Sequence, residues 1–283
     1  MAGTVWNALL AVAVCVGWLG FDPGVEAWSE SVGETRIGHG HGGDELQRRS
    51  IETLPVDESG ALIRLGYELV TQTQVRARSH VGNGLNCSNC HLDAGRRVGA
   101  APFSGLTLVY PEYRARNARV NSLEDRLNDC FLRSMNGTPL SSGSREQRAL
   151  VAYITWLSEG LSREEALASR GFSTVATTRP PQPARGERVY RRRCSGCHGS
   201  DGHGTSMAPP LWGPRSYTVG AGMARNSVSA SFIRHNMPLG QEDGLTGEEA
   251  YDVAAYVNRQ PRPDFPDKRF DWPLGGKPQD APY

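Results

Sequence analysis

Apolar side chains recur at helical spacing in a few well-separated stretches of the chain. Residues 61–72 form one, around Gly66-Tyr67. Leu123, Leu127, Phe131 and Met135 form a second, and Ala149, Leu150, Tyr153, Trp156 and Leu157 a third. Ala250, Val253, Ala254 and Val257 form a fourth. Each of the last three has a start signal. Ser122 is placed as an N-cap, while Ser144-x-x-Gln147 and Thr246-x-x-Glu249 have the spacing of capping boxes. Asn136-Gly137 supplies a stop. A further short helix leads from Gly186 toward Cys194. The pattern predicts an all-α protein. The Thr/Pro-rich stretch 171–185 divides it into two halves as a linker, and a Pro-rich tail, 261–283, is expected to lie extended over the surface.

The amino-terminal pattern differs. Residues 5–21 are an apolar run, followed by the small-x-small site Val25-Glu26-Ala27. This predicts a secretory signal peptide over 1–27, and hence a periplasmic protein that has no membrane attachment after cleavage. Residues 28–55, with His39 and His41 in a glycine-rich run, read as a flexible leader. No stretch of about twenty apolar residues is uninterrupted, which excludes a multi-span membrane protein.

Charge narrows the functional classes. The 31 basic and 30 acidic residues leave a net +1, which excludes a general nucleic-acid-coating protein. Lys268 and Lys277 are the only lysines, so the remaining bases are arginine, the better fork-shaped binder of oxyanions.

The decisive signal is in the cysteines. Cys15 falls within the signal peptide. Of the other five, four form two C-x-x-C-H motifs, Cys87-x-x-Cys90-His91 and Cys194-x-x-Cys197-His198. From this composition, chance yields one such motif in about three of a thousand chains. Two thiols three residues apart reach the two vinyl groups of one haem, and the adjacent histidine is then delivered to the iron. A zinc site would require further Cys or His at metal spacing, and a thioredoxin-like centre would use one motif. The motifs therefore predict two covalently bound haem c groups, with His91 and His198 as proximal ligands.

The two halves share a register. Met237, followed by Pro238, lies 39 residues after His198, and Cys130 lies the same 39 residues after His91. Met237 is the expected sixth ligand of the second haem, with His235 as the alternative. Cys130 is its positional counterpart in the first half. A cysteine on an apolar helical stripe is also compatible with simple core packing. The register, and the lack of any methionine in residues 92–129, point instead to an axial thiolate, which lowers a haem's potential where methionine raises it. Arg126 precedes Cys130 by one helical turn, and Arg114, Arg116, Arg119 and Arg133 lie nearby in sequence. Arginines gathered at a nucleophilic sulfur would suit an anionic sulfur substrate.

Residues 184–260, with helix, C-x-x-C-H, Pro-Leu, Met-Pro and terminal helix in that order, resemble a small single-haem cytochrome c. More specifically, VGNGLNCSNCH (81–91), APFSG (101–105), residues 113–126, DCFLRSMNG (129–137) and PPLWGPRSYTVGAGM (209–223) resemble the dihaem thiosulfate dehydrogenases across about residues 60–270. That resemblance implies two tandem cytochrome c-like domains, 56–170 and 186–260, with the active haem in the first. It implies His91/Cys130 ligation there, Arg116 and Arg126 as substrate-site arginines, and oxidation of two thiosulfate to tetrathionate. It further implies a thiosulfonate adduct on the Cys130 sulfur. Electrons would leave through the His198/Met237 haem to a small periplasmic cytochrome c, and a monomer is expected. Asn236 stands where some relatives have lysine before the methionine, so lysine ligation is absent here. The alternatives are the haem subunit of a thiosulfate-oxidising multienzyme complex and a plain dihaem electron carrier.

Overall fold

The computed structural model describes residues 50–283. The expected signal peptide, Cys15, the His39/His41 run and most of the expected leader lie outside the described residues. Helices of more than one turn are numbered in chain order: α1 Glu58–Thr71, α2 Leu123–Arg133, α3 Arg145–Ser158, α4 Arg163–Ala168, α5 Pro183–Arg193, α6 Asn226–Asn236 and α7 Gly247–Asn258. Both halves belong to one compact unit.

Each half is built on a crossed pair of helices. In the first, α1 packs on α3, and the crossing point is Gly66. A Cβ there would lie 2.2 Å from the Ala149 carbonyl oxygen and 2.5 Å from Tyr153 Cβ. In the second, α5 packs on α7 at Gly186, where a Cβ would lie 1.9 Å from the Asp252 carbonyl oxygen. Only glycine permits two helix backbones to approach this closely. The first core gathers Leu69, Val70, Phe131, Leu150, Tyr153 and Leu157. The second gathers Val189, Tyr190, Trp212, Leu245, Val253 and Val257.

The helix starts follow local chemistry. Asp57 caps α1 by accepting from Gly60 N at 2.8 Å. The boxes at Ser122/Asp125 and Thr246/Glu249 are reciprocal. The Ser144 box is only half formed: Ser144 Oγ accepts from Gln147 N, but Gln147 Oε1 accepts from Gly143 N in place of Ser144 N.

Three features depart from the sequence pattern. A small antiparallel hairpin, β1 Glu112–Arg114 with β2 Arg119–Asn121, precedes α2 in a mainly helical protein. The stretch 50–55, expected as leader, contains the turn Ile51–Thr53 and buries Leu54 in the first core. The halves also interlock. Tyr217, Ala221 and Ala224 from the second half complete the first core, with Met223 packed against it. Gly84 N donates to Arg215 O at 2.9 Å, and Thr218 N donates to Arg133 O at 3.1 Å. The stretch 171–185 is fastened to the second half: Arg179 makes a two-pronged contact with Asp252, at 2.9 and 2.6 Å. No helix among the described residues is long and apolar enough to cross a membrane.

Candidate active site

The first motif is held by its neighbours. Cys87 N donates to Thr73 Oγ1 at 2.9 Å, Asn86 N donates to Asn89 Oδ1 at 2.7 Å, and Asn86 Oδ1 accepts from Gln74 N at 3.1 Å. His91 Nδ1 lies 2.6 Å from the Ala101 carbonyl, and its ring packs on Phe103 with centroids 4.3 Å apart. A carbonyl only accepts, so Nδ1 carries the proton and Nε2 keeps its lone pair for a metal. Burial pushes the imidazole down to about 4, so it is neutral at working pH. His198 repeats the arrangement: Nδ1 meets the Pro209 carbonyl at 2.9 Å, and burial lowers its pKa.

Burial also pushes the thiols of Cys87 to about 11, Cys90 to about 12 and Cys194 to about 11. A redox dithiol needs a lowered pKa. Paired thiols, each pair beside an imidazole with a free Nε2, suit thioether attachment and fit two haem c groups.

Cys130 lies on α2 one turn beyond Arg126, whose Nη1 donates to Cys130 Sγ at 2.8 Å. The charge of Cys130 raises the Arg126 pKa, against burial, which lowers it. Cys130 also acts electrostatically on Cys87 and Cys90, and Arg126 on His91. The helix thus brings Cys130 and Arg126 to the first motif.

The remaining arginines divide. Arg114 donates to Tyr110 Oη, and Arg119 lies 3.9 Å from Asp125. Arg116, in the hairpin turn, donates to the second half's Gly220 O at 2.6 Å. Arg133 holds Asp271 with two hydrogen bonds of 2.7 Å. Asp271 and Trp272, in the tail, give no local signal in the sequence. Periodicity does not reach a Pro-rich segment whose partners lie 138 residues upstream.

In the second half Met237 follows α6 directly and is half-buried. Met207 is 72% exposed and Met135 is buried in the first core. His235 Nδ1 faces Asp243 Oδ1 at 2.9 Å, and its Nε2 is buried without a partner.

Two cytochrome c-like halves, each with a paired-thiol motif and a neutral histidine, define a dihaem c-type cytochrome. Comparison with known proteins agrees. The family described as SoxA/TsdA, cytochrome c domain, matches residues 77–162, and cytochrome c oxidase, cbb3-type, subunit III, matches 181–257. Thiosulfate dehydrogenase of Allochromatium vinosum is 42% identical over 228 residues, covering 77% of this chain and 84% of the relative. That of Stutzerimonas stutzeri is 38% identical over 266 residues, covering 90% and 85%. The solved structure of thiosulfate dehydrogenase (TsdBA) from Marichromatium purpuratum, as isolated, superposes with a TM-score of 0.73 at 39% identity. It matches 77% of this chain, which spans 50% of that one. The chain belongs to the thiosulfate dehydrogenase family, and it is an oxidoreductase of the c-type cytochrome class.

Proposed function

We propose that the protein oxidises two thiosulfate ions to tetrathionate at its first domain and passes the electrons through its second domain to an external acceptor. The observation that carries this reading is the 2.8 Å contact from Arg126 to Cys130 Sγ beside the His91 motif. It joins a nucleophilic sulfur to a fixed cation, as an anionic sulfur substrate requires.

His91 and Cys130 would hold the first haem iron and His198 and Met237 the second, with thioether links from Cys87, Cys90, Cys194 and Cys197. The bound haems supply one-electron acceptors, the thiolate-ligated one at the lower potential. Arg126 and Arg116 draw in the thiosulfate dianion. The Cys130 thiolate bonds to the terminal sulfur of thiosulfate, giving a Cys–S–S–SO₃⁻ adduct with loss of two electrons. A second thiosulfate then attacks that adduct at the thiosulfate-derived sulfur next to the Cys130 sulfur. Tetrathionate departs and the thiolate returns. Guanidinium charge is needed at both stages, because each brings a dianion to an anionic centre. A small periplasmic cytochrome c takes the electrons.

The test is anaerobic incubation of the purified, haem-loaded protein with thiosulfate alone, with both haem reduction and product followed. Haem reduction with one tetrathionate per two thiosulfate is expected. Reduction that appears only when a sulfur-carrier protein is added would favour the multienzyme-complex reading, and no reduction would leave a plain electron carrier.

A further inference from the structure

The tail carries a structure that the proposed chemistry has not yet used. Asp271 is 3% exposed in its side chain and both oxygens are engaged. Oδ1 and Oδ2 accept from Arg133 at 2.7 Å, and Oδ2 also accepts from Tyr283 Oη. Arg116 Nη1 lies 3.9 Å from the same carboxylate, within electrostatic reach but beyond a hydrogen bond. The next residue, Trp272, places its indole ring 4.8 Å from the Arg116 guanidinium, and its backbone N–H donates to the Arg116 carbonyl oxygen at 2.7 Å. The Trp272 ring is itself braced by Tyr283, with centroids 5.7 Å apart.

We infer that Asp271 and Trp272 are positioning residues that fix the Arg116 guanidinium for an incoming dianion. The inference rests on the reading of Arg116 as a substrate-site residue. Arg116 has five N–H donors. Gly220 takes one, Trp272 covers a face, and Asp271 attracts the charge from 3.9 Å without occupying a donor. The guanidinium is therefore held at its back and free along its remaining edge.

The local charge has the right sign. Arg133 and Arg225 both act on Arg116, against the carboxylate of Asp271, and Arg133 also lies 3.9 Å from Asp129; three arginines against two carboxylates leave the cluster positive toward an incoming dianion. Burial, then the neighbouring arginine Arg133, lowers the Arg116 pKa to about 10, so it stays charged at neutral pH while poorly solvated. A poorly solvated cation gains most from an anion. The backbone supports the assignment: Trp272 sits at φ 56°, a left-handed conformation that a bulky residue adopts only where its surroundings hold it.

The experiment compares Asp271→Asn, Trp272→Ala, Trp272→Phe, Arg116→Ala and the Arg116→Ala/Trp272→Ala pair in the full-length, haem-loaded protein. It reads KM and kcat for thiosulfate, the haem spectra and the melting temperature. Asp271→Asn and Trp272→Ala are expected to raise KM about 5- to 20-fold with kcat and haem spectra little changed. Trp272→Phe should restore most of the loss, and the double variant should be no worse than Arg116→Ala alone. If Arg116→Ala raises KM while neither tail variant does, the positioning role is overturned and the role of Arg116 stands. If Arg116→Ala itself leaves KM unchanged, the substrate role of Arg116 fails and the tail assignment falls with it. Lower melting temperatures at unchanged KM would make the tail a structural strap only, which also overturns the inference.

Discussion

The two domains share one scaffold and differ in what faces the haem site. Both cross their terminal helices at a glycine, Gly66 and Gly186, and both tie histidine Nδ1 to a backbone carbonyl. At the matched position, 39 residues beyond the histidine, the first carries Cys130 and the second Met237. Around Cys130 lies Arg126 in direct contact, while Met237 directly follows a helix whose last-turn bases, Arg234 and His235, both face Asp243. The shared parts suit a haem pocket, and in the proposed function the difference decides whether the pocket does chemistry or relays electrons. A neutral thioether asks nothing of its surroundings. A thiolate that must receive a dianion needs buried positive charge, and arginine supplies it.

Erasing the difference should have the largest effect. Cys130→Met makes the first domain resemble the second, and thiosulfate turnover should fall by more than about a thousandfold, since nucleophile and low potential go together. The protein should still carry two haems, as checked by the pyridine haemochrome assay.

Keeping the thiolate but removing the cation separates charge from ligation. Arg126→Ala should lose about 1.5–3 kcal/mol of transition-state stabilisation, roughly 10- to 150-fold in kcat/KM, from one charge-assisted contact. Arg126→Lys should recover only part, because the fork is gone. Unchanged turnover in haem-loaded Arg126→Ala would remove Arg126 from the site.

The common scaffold can be broken in either half. Gly66→Ala and Gly186→Ala each force a methyl group into facing backbone, and each should cost about 1–3 kcal/mol or more. Differential scanning calorimetry of each variant should show the loss whichever half is altered. The interlocking of the halves through Tyr217 and Ala221 predicts that the two transitions stay coupled.

A smaller effect distinguishes the second domain alone. Burial raises the Asp252 pKa, but the Arg179 hydrogen bonds and the Gln182 N–H outweigh it and leave a net depression. A depressed carboxylate stabilises the fold fully above its unfolded value, near 4, and loses that contribution as pH falls through the lower folded value. Arg179→Ala should cost about 1–2 kcal/mol at neutral pH and flatten the acid limb of the stability profile.

How far the sequence led depended on whether a signal was local. Two C-x-x-C-H motifs, a capping residue at Ser122 and apolar spacing along α2 are each written within a dozen residues, and each appears in the fold. The placement of Arg126 against Cys130 followed from one helical turn. What escaped is long-range. Nothing in residues 217–224 marks them as core for the other half, since their packing has no period and the core they join ends at Leu157, in the other domain. The hairpin that carries Arg116 is three residues per strand, too short for alternation to register. The tail read as an extended surface segment, yet it buries Phe265 and Asp271 and binds two arginines.

Whether Cys130 sets the first haem apart from the second is read by low-temperature electron paramagnetic resonance of the oxidised protein, with optical spectra of the same samples. The parent should show a low-spin thiolate-ligated species together with the long-wavelength methionine-to-ferric band of the second haem. Cys130→Ala should lose the thiolate species and keep the methionine band, and Met237→Ala should do the reverse. Spectra of both haems unchanged by Cys130→Ala would contradict the account.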